Sequence, residues 1–255
     1  MTAPLSAAPF VAAAEAAFAV IWKPRNMHTA PLKPDDKSTL LHWCAAHFPE
    51  VLTVRGRKPV EGGAVHRLDF ATEGLVLFAR SQTALNHFYM EQEAGRFVKE
   101  YLAITGARKT NPKAGFPPLS TEVPSCLEEK GVPFFIESAF RPYGKGARTV
   151  RPIPVLPDSA ASAAVRIYQT EVLAIKPQNT SQDNNNKRLC WRIRLRRGFR
   201  HQIRCHLAWL GFPIEGDALY GESETPDLGL SSVCLRFRHP SNGKLIEVAG
   251  TKQKA

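Results

Sequence analysis

The 255-residue chain has only five cysteines, Cys44, Cys126, Cys190, Cys205 and Cys234, and no two of them form a C-x-x-C pair. An odd number at wide spacing supports neither a disulfide framework nor a zinc site. They are expected as small buried apolar residues in a reducing compartment, the cytoplasm. No apolar run approaches the roughly 20 residues that a membrane-crossing helix needs. Met1 to Ala19 is rich in Ala but holds no Lys or Arg, unlike a secretory signal or an Arg-rich transit peptide. Residues 1–16 are expected as a frayed tail before the first strand. There is no internal repeat and no clear linker, so one domain is expected over residues 17–250, with a short tail at 251–255.

Charge, by contrast, is abundant and localised. The formal net charge is +11. Arg141 to Arg204 holds fourteen Lys/Arg against three Asp/Glu (Asp158, Glu171 and Asp183), which accounts for all of it. Such a concentration in one quarter of a chain points to a polyanionic partner, most simply nucleic acid. A solvated basic face is the plain alternative. No strongly amphipathic basic helix supports a membrane surface.

Apolar patterning gives a coarse fold. Ala17 to Ile21 reads as a buried strand ending at Trp22-Lys23-Pro24. Ser38 is expected to cap a helix running to about His47, which Pro49 ends. Leu75 to Ala79 reads as a second strand. Ser81 is placed to cap a helix to about Ala94, with Gly95 ending it. Phe97 to Thr105 reads as a further strand, as do Val165 to Ile175 and Leu189 to Arg196. Arg151 to Ala164 reads as irregular, and Pro177 to Lys187 as an exposed turn. Strands outnumber helices, and helices follow only some of them. The expected class is α+β, a mixed and largely antiparallel sheet with flanking helices.

Three segments could carry chemistry. Asp69 lies in Val65 to Leu77 (V-H-R-L-D-F-A-T-E-G-L-V-L), where a loop enters a buried strand. An aspartate there can be a nucleophile, a general base or a metal ligand, or merely a turn cap. No companion carboxylate or His pair at ligand spacing supports a metal. Lys99 and Tyr101 share one strand face, and a tyrosine can stack on a base, move a proton or simply pack in a core. Gly198 to Gly221 places Ile203, Leu207 and Leu210 on one helical face, with Gly211 at its end. Arg200, His201 and Gln202 stand at the helix N-terminus, where backbone N–H groups favour anions. Arg204 follows one turn later. His201 and His206 are five apart, which is not a helical zinc pair. In Leu189 to Arg196, Arg192, Arg194 and Arg196 alternate with apolar residues, so a strand would present them as a positive row about 6.6–6.8 Å apart, suited to a phosphate backbone.

Taken together, the pieces resemble the RluA-like family of RNA pseudouridine synthases. They are Lys23-Pro24, H-R-L-D-x-x-T-x-G at His66 to Gly74, K-x-Y-L-A at Lys99 to Ala103, G-x-x-H-Q-I-R-x-H-L-A-x-L-G at Gly198 to Gly211, and G-D-x-x-Y-G at Gly216 to Gly221. They occur in the family's order and span roughly residues 17 to 248. The resemblance implies isomerisation of uridine to pseudouridine within ribosomal or transfer RNA, without cofactor or metal. The sequence does not fix an oligomeric state, and a monomer is the default expectation. The resemblance also implies that Asp69 is the essential nucleophilic aspartate. Tyr101 would be the tyrosine that packs on the base, and Arg204 the arginine that pairs with the aspartate. His66 and Arg67 are expected at the substrate, Arg67 in the space a flipped base leaves. Arg192, Arg194, Arg196, Arg200, His201 and Gln202 are expected at the RNA.

The chain departs from the family's common pattern at Phe70-Ala71 and Glu73, and at Phe199-Arg200 before His-Gln. These positions flank the essential ones and bear on the RNA target more than on the reaction. The family's common N-terminal S4 RNA-binding domain is expected to be absent. A non-catalytic RNA-binding protein with the same fold is the competing reading. An ordinary hydrolase built on Asp69 lacks a partner base or a metal set.

Overall fold

A computed structural model describes residues 8–33, 35–107, 109–119, 133–154, 166–178, 187–222, 225 and 227–250. The chain divides into two compact units: residues 1–99 with 231–255, and residues 100–230. Within the described residues there are ten strands and three α-helices, mostly in antiparallel pairings. This is the α+β class expected from the sequence.

The first unit is built on β1 (Phe10–Glu15), β2 (Phe18–Lys23) and β3 (Glu73–Ala79), joined by β9 (Leu230–Arg238) and β10 (Leu245–Ala249). β1 pairs with β2, β2 with β3 and β10 with β9, all antiparallel, whereas β3 and β9 run parallel. Every residue of β2 and β3 is buried, as their unbroken apolar runs require. Helix α2 (Gln82–Glu93) lays Ala84, Leu85 and Phe88 on this layer. Phe88 and Phe18 both meet Phe237 edge-on, at ring-centroid distances of 5.4 and 5.1 Å. The Ser81 hydroxyl accepts from the Ala84 N–H, and Gly95 takes φ +69° just past the helix, so both ends match the sequence reading. Helix α1 (Leu40–Ala45) is capped by Thr39 rather than Ser38, and it is shorter than expected. The tail expected over residues 1–16 contains β1, which its pairing with β2 holds in place.

The second unit contains β4 (Val98–Gly106, from Glu100 onward), β5 (Phe134–Tyr143), β6 (Thr149–Pro154), β7 (Tyr168–Gln178) and β8 (Arg188–Leu195). Antiparallel pairing links β5 to β6, β5 to β7 and β7 to β8, and β8 lies beside β4. Strand β6 corrects the reading of Arg151 onward as irregular, and β5 is a strand that the sequence pattern did not reveal. Both contain prolines, and β6 lies at the sheet edge, where a missing N–H costs least. Pro177 and Gln178, read as turn, end β7. The rest of that expected turn, and the Ala/Ser run after Pro154, lie outside the described residues.

Helix α3 (Gln202–Trp209) has all eight residues buried. His206 fixes it to two strands: one ring nitrogen lies 2.9 Å from the Ser138 hydroxyl on β5 and the other 2.8 Å from the Thr170 hydroxyl on β7. Burial pushes its imidazole down to about 3. Gly211 ends the helix at φ +90°, where a Cβ would meet the Thr110 carbonyl at 2.5 Å.

A pH dependence follows from His206. Between pH 6.5 and about 3 the unfolded chain takes up a proton that the native imidazole refuses, so stability falls as pH falls. Urea titrations from pH 7 to 4 should show this slope in the wild type and a shallower one in His206→Gln.

Candidate active site

In the first unit, Asp69 stands half-buried in the loop that leads into β3. Its own carbonyl accepts from the Thr72 N–H at 3.0 Å, which makes the segment a turn. The residues on either side are held by side chains from the end of β2 and the loop after it. The Thr29 hydroxyl accepts from the Leu68 N–H at 3.1 Å and lies 3.2 Å from the Leu68 carbonyl. The Lys23 ammonium donates to the carbonyls of Phe70 (3.2 Å), Pro24 (2.9 Å) and Met27 (2.8 Å). Lys23 is fully buried. Burial pushes it down to about 7, against the pull of Asp69 and Glu73. Thus the carboxylate that the sequence singled out sits between two braced neighbours, with a lysine close enough to feel its charge.

The surrounding motif residues have separate tasks. The His66 Nε2 accepts from the Leu77 N–H at 3.2 Å, which fixes the proton on Nδ1, a buried atom with no hydrogen-bond partner. Burial, with Lys99 adding to it, holds that ring well below the usual histidine range, so it is neutral. His66, expected at the substrate, therefore uses one nitrogen to fasten the motif to β3. Arg67 points its half-exposed guanidinium at Glu61, 3.2 Å away. Glu73 is a buried carboxylate held by both arms of Arg25, each at 2.8 Å, and by the Ser231 hydroxyl at 2.8 Å. This departure from the family pattern thus comes with its own partners. Gly74 is required by its φ of +125° and by the Ser232 backbone of β9, which a Cβ would strike.

In the second unit, Tyr101 is buried on β4 at 6% exposure. Arg204 is buried on α3, and its guanidinium grips Asp217 with two parallel bonds, Nε to Oδ2 at 2.7 Å and Nη2 to Oδ1 at 2.8 Å. Asp217 Oδ1 also accepts from the N–H groups of Leu219 and Tyr220. The Tyr220 ring lies 5.4 Å from the Arg204 guanidinium, and its hydroxyl accepts from the Val150 N–H. The G-D-x-x-Y-G motif is therefore a cradle for Arg204. The motif is visible in the sequence but the role of Asp217 is not, because a place thirteen residues after an arginine carries no periodic signal.

The residues expected at RNA do not share one environment. Arg192 and Arg194 do alternate outward along β8, but not without acids. Arg192 meets Glu100 Oε2 at 2.6 Å, and Arg194 meets Glu100 Oε1 at 3.0 Å and Glu171 Oε1 at 3.2 Å. The acids come from neighbouring strands, which a single-strand pattern cannot reveal. Glu100 is almost fully buried beneath two guanidinium groups. The expected uninterrupted positive row is thus largely internally compensated, with Arg196 exposed beyond it. Gln202 is a correction as well. It is buried, and its amide spans the Phe199 N–H, the Gln169 carbonyl and the Thr170 hydroxyl, so it ties the loop to β7. Arg200 is exposed and donates to the carbonyls of Ala147 and Thr149. His201 takes φ +58° and lies 3.1 Å from the Tyr220 hydroxyl. Among the described residues, no group of three or more His, Cys, Asp and Glu side chains could hold a metal ion, and no helix is long and apolar enough to cross a membrane.

Removing one partner of a buried ion pair costs far more than a surface pair is worth. Asp217→Ala is expected to destabilise the chain by about 3–5 kcal/mol, read as a fall in the urea unfolding midpoint. The Arg57–Glu93 pair, exposed on both sides at 3.9 Å and removed by Glu93→Ala, should cost about 0–1 kcal/mol.

The sequence is 28% identical to ribosomal large subunit pseudouridine synthase D of Haemophilus ducreyi, a match covering 89% of this chain and 62% of that protein. It is also 28% identical to an uncharacterized RNA pseudouridine synthase of Chloroflexus aurantiacus, over 88% of this chain and 60% of that one. The chain thus spans about three-fifths of the length of these curated relatives. Its fold is similar to human RNA pseudouridylate synthase domain containing 1, with TM-score 0.65 at 19% identity, over 98% of this chain and 86% of that one. Residues 17–209 match the family described as RNA pseudouridylate synthase, and the chain belongs to that family.

Proposed function

We propose that the protein isomerises specific uridines in RNA to pseudouridine, with Asp69 as the nucleophile. The observation that carries this reading is the bracing of Asp69 between Leu68 and Phe70, whose backbone groups Thr29 and Lys23 hold. A nucleophile gains rate from being fixed in position before the substrate arrives, and a surface turn cap has no need of such support. Family membership supplies the reaction class.

The chemistry is an exchange of glycosidic bonds. The target nucleotide leaves the stack, which costs a few kcal/mol. The bond between the ribose carbon and base nitrogen N1 breaks, the uracil turns, and C5 bonds to the same ribose carbon. C5 gives up its hydrogen as a proton, and N1 gains one. Nothing is oxidised and no group is lost, so the step calls for no cofactor. Tyr101 and Arg204 are the further residues assigned to the reaction by resemblance, the first to hold the detached base and the second to pair with the aspartate.

RNA must be held while this happens. The exposed cations Arg141, Lys145, Arg148, Arg196 and Arg200 are the phosphate contacts we assign. Arg192 and Arg194 contribute less, because Glu100 and Glu171 already engage them. The names of the curated relatives make large-subunit ribosomal RNA the first target to test.

Tritium at C5 of uridine reports the reaction directly. Large-subunit RNA carrying it should release tritium with the wild type and none with Asp69→Asn, while both proteins bind the RNA with affinities within about threefold. Equal release by Asp69→Asn would overturn the assignment of Asp69. Tight binding by the wild type without release, on RNA that another synthase turns over, would favour the non-catalytic RNA-binding reading.

A further inference from the structure

Phe70 follows Asp69 directly, yet it does not pack as the core phenylalanines of its unit do. Phe18, Phe78, Phe88, Phe97 and Phe237 are at most 1% exposed, whereas Phe70 is 45% exposed. A large apolar ring left this exposed forgoes roughly half of the about 1.5–3 kcal/mol that full burial gives, so its position calls for a reason. Backbone bonds rather than core packing hold it out: the Phe70 carbonyl is fixed by Lys23, and Leu68 is fixed by Thr29. One side of the ring is backed by His28, whose ring centroid lies 4.7 Å away at a tilt of 45°. His28 is anchored in turn, since its carbonyl accepts from the Leu40 N–H at 2.9 Å. The result is a stiff aromatic pair with an open surface, one residue from the carboxylate.

We propose that Phe70, backed by His28, is a stacking platform for the nucleobase next to the target uridine. The inference rests on the reading of Asp69 as the residue that meets that uridine. When the target base swings out of the stack, its neighbour loses one stacking partner. An exposed aromatic ring beside the reacting position replaces that partner, and any base offers the π-face required. The neighbouring motif residues are engaged elsewhere: His66 is tied to Leu77, and the Arg67 guanidinium is turned toward Glu61. Phe70 is therefore a substrate-binding residue that acts on recognition and leaves the bond-breaking step alone.

Phe70→Leu removes the π-face while keeping an apolar side chain, and Phe70→Trp enlarges the face. On C5-tritiated large-subunit RNA, Phe70→Leu should raise KM about 5- to 150-fold, the range expected for one base–aromatic stack, with kcat unchanged. Phe70→Trp should keep the wild-type KM or lower it. Because the ring lies outside the hydrophobic core, both variants should retain the wild-type urea midpoint, which separates loss of stacking from loss of fold. A wild-type KM in Phe70→Leu, or equal damage from Leu and Trp, overturns the platform. If the wild type itself releases no tritium, the reading of the reaction fails. Filter binding of the same RNA then decides the platform alone: Phe70→Leu must bind more weakly than Phe70→Trp, and equal binding refutes it.

Discussion

A single threonine hydroxyl sets the geometry of the proposed centre. Thr29 accepts from the N–H of Leu68 and reaches its carbonyl, so the residue before Asp69 is pinned through both of its peptide groups. Lys23 does the same on the far side through the carbonyl of Phe70, and spends its other two protons on Pro24 and Met27. One brace is the last residue of a fully buried strand, and the other lies in the loop just after it. The hydrophobic layer of the first unit thereby places a polar clasp, and the clasp places a carboxylate. Burial of Lys23 also puts a cation of depressed pKa where it feels Asp69.

The second unit solves a similar problem with charge. Arg204 is buried, and such a group is tolerable only when its donors are satisfied. Asp217 satisfies two of them and is itself oriented by the backbone of a turn that Gly216 makes possible, at φ +73° against the Asp227 carbonyl. Glu100 does the converse, a buried acid covered by two arginines. The net charge of +11 is therefore not spread evenly over a binding face. Part of it is spent on holding strands and helix together, and the remainder stands on exposed side chains such as Lys145, Arg148, Arg196 and Arg200.

Where local chemistry decides structure, the sequence was readable. Ser81 and Gly95 mark the ends of α2, and unbroken apolar runs mark β2 and β3. The motif around Asp69 stood out because its residue types recur in a known order. What could not be read depends on partners distant in the chain. The prolines of β5 and β6 look like loop until pairing places β6 at an edge. The Ala-rich β1 has little strand propensity and is a strand because β2 lies beside it. Glu100 and Glu171 reach the β8 arginines only through strand register, and Gln202 looks like a helix-end anion contact until its amide is seen turned inward. Thr29 belongs to no motif, since a hydroxyl that clamps one peptide 39 residues away leaves no pattern.

Thr29→Val offers the most direct measurement, because it keeps the shape of the side chain and removes only the clasp. The Leu68 amide should exchange faster with solvent. The single-turnover rate of tritium release should fall by roughly tenfold to a hundredfold, as expected for a misplaced catalytic group, while RNA affinity holds. A loosened Leu68 amide together with an unchanged single-turnover rate would contradict the claim that this bracing positions Asp69.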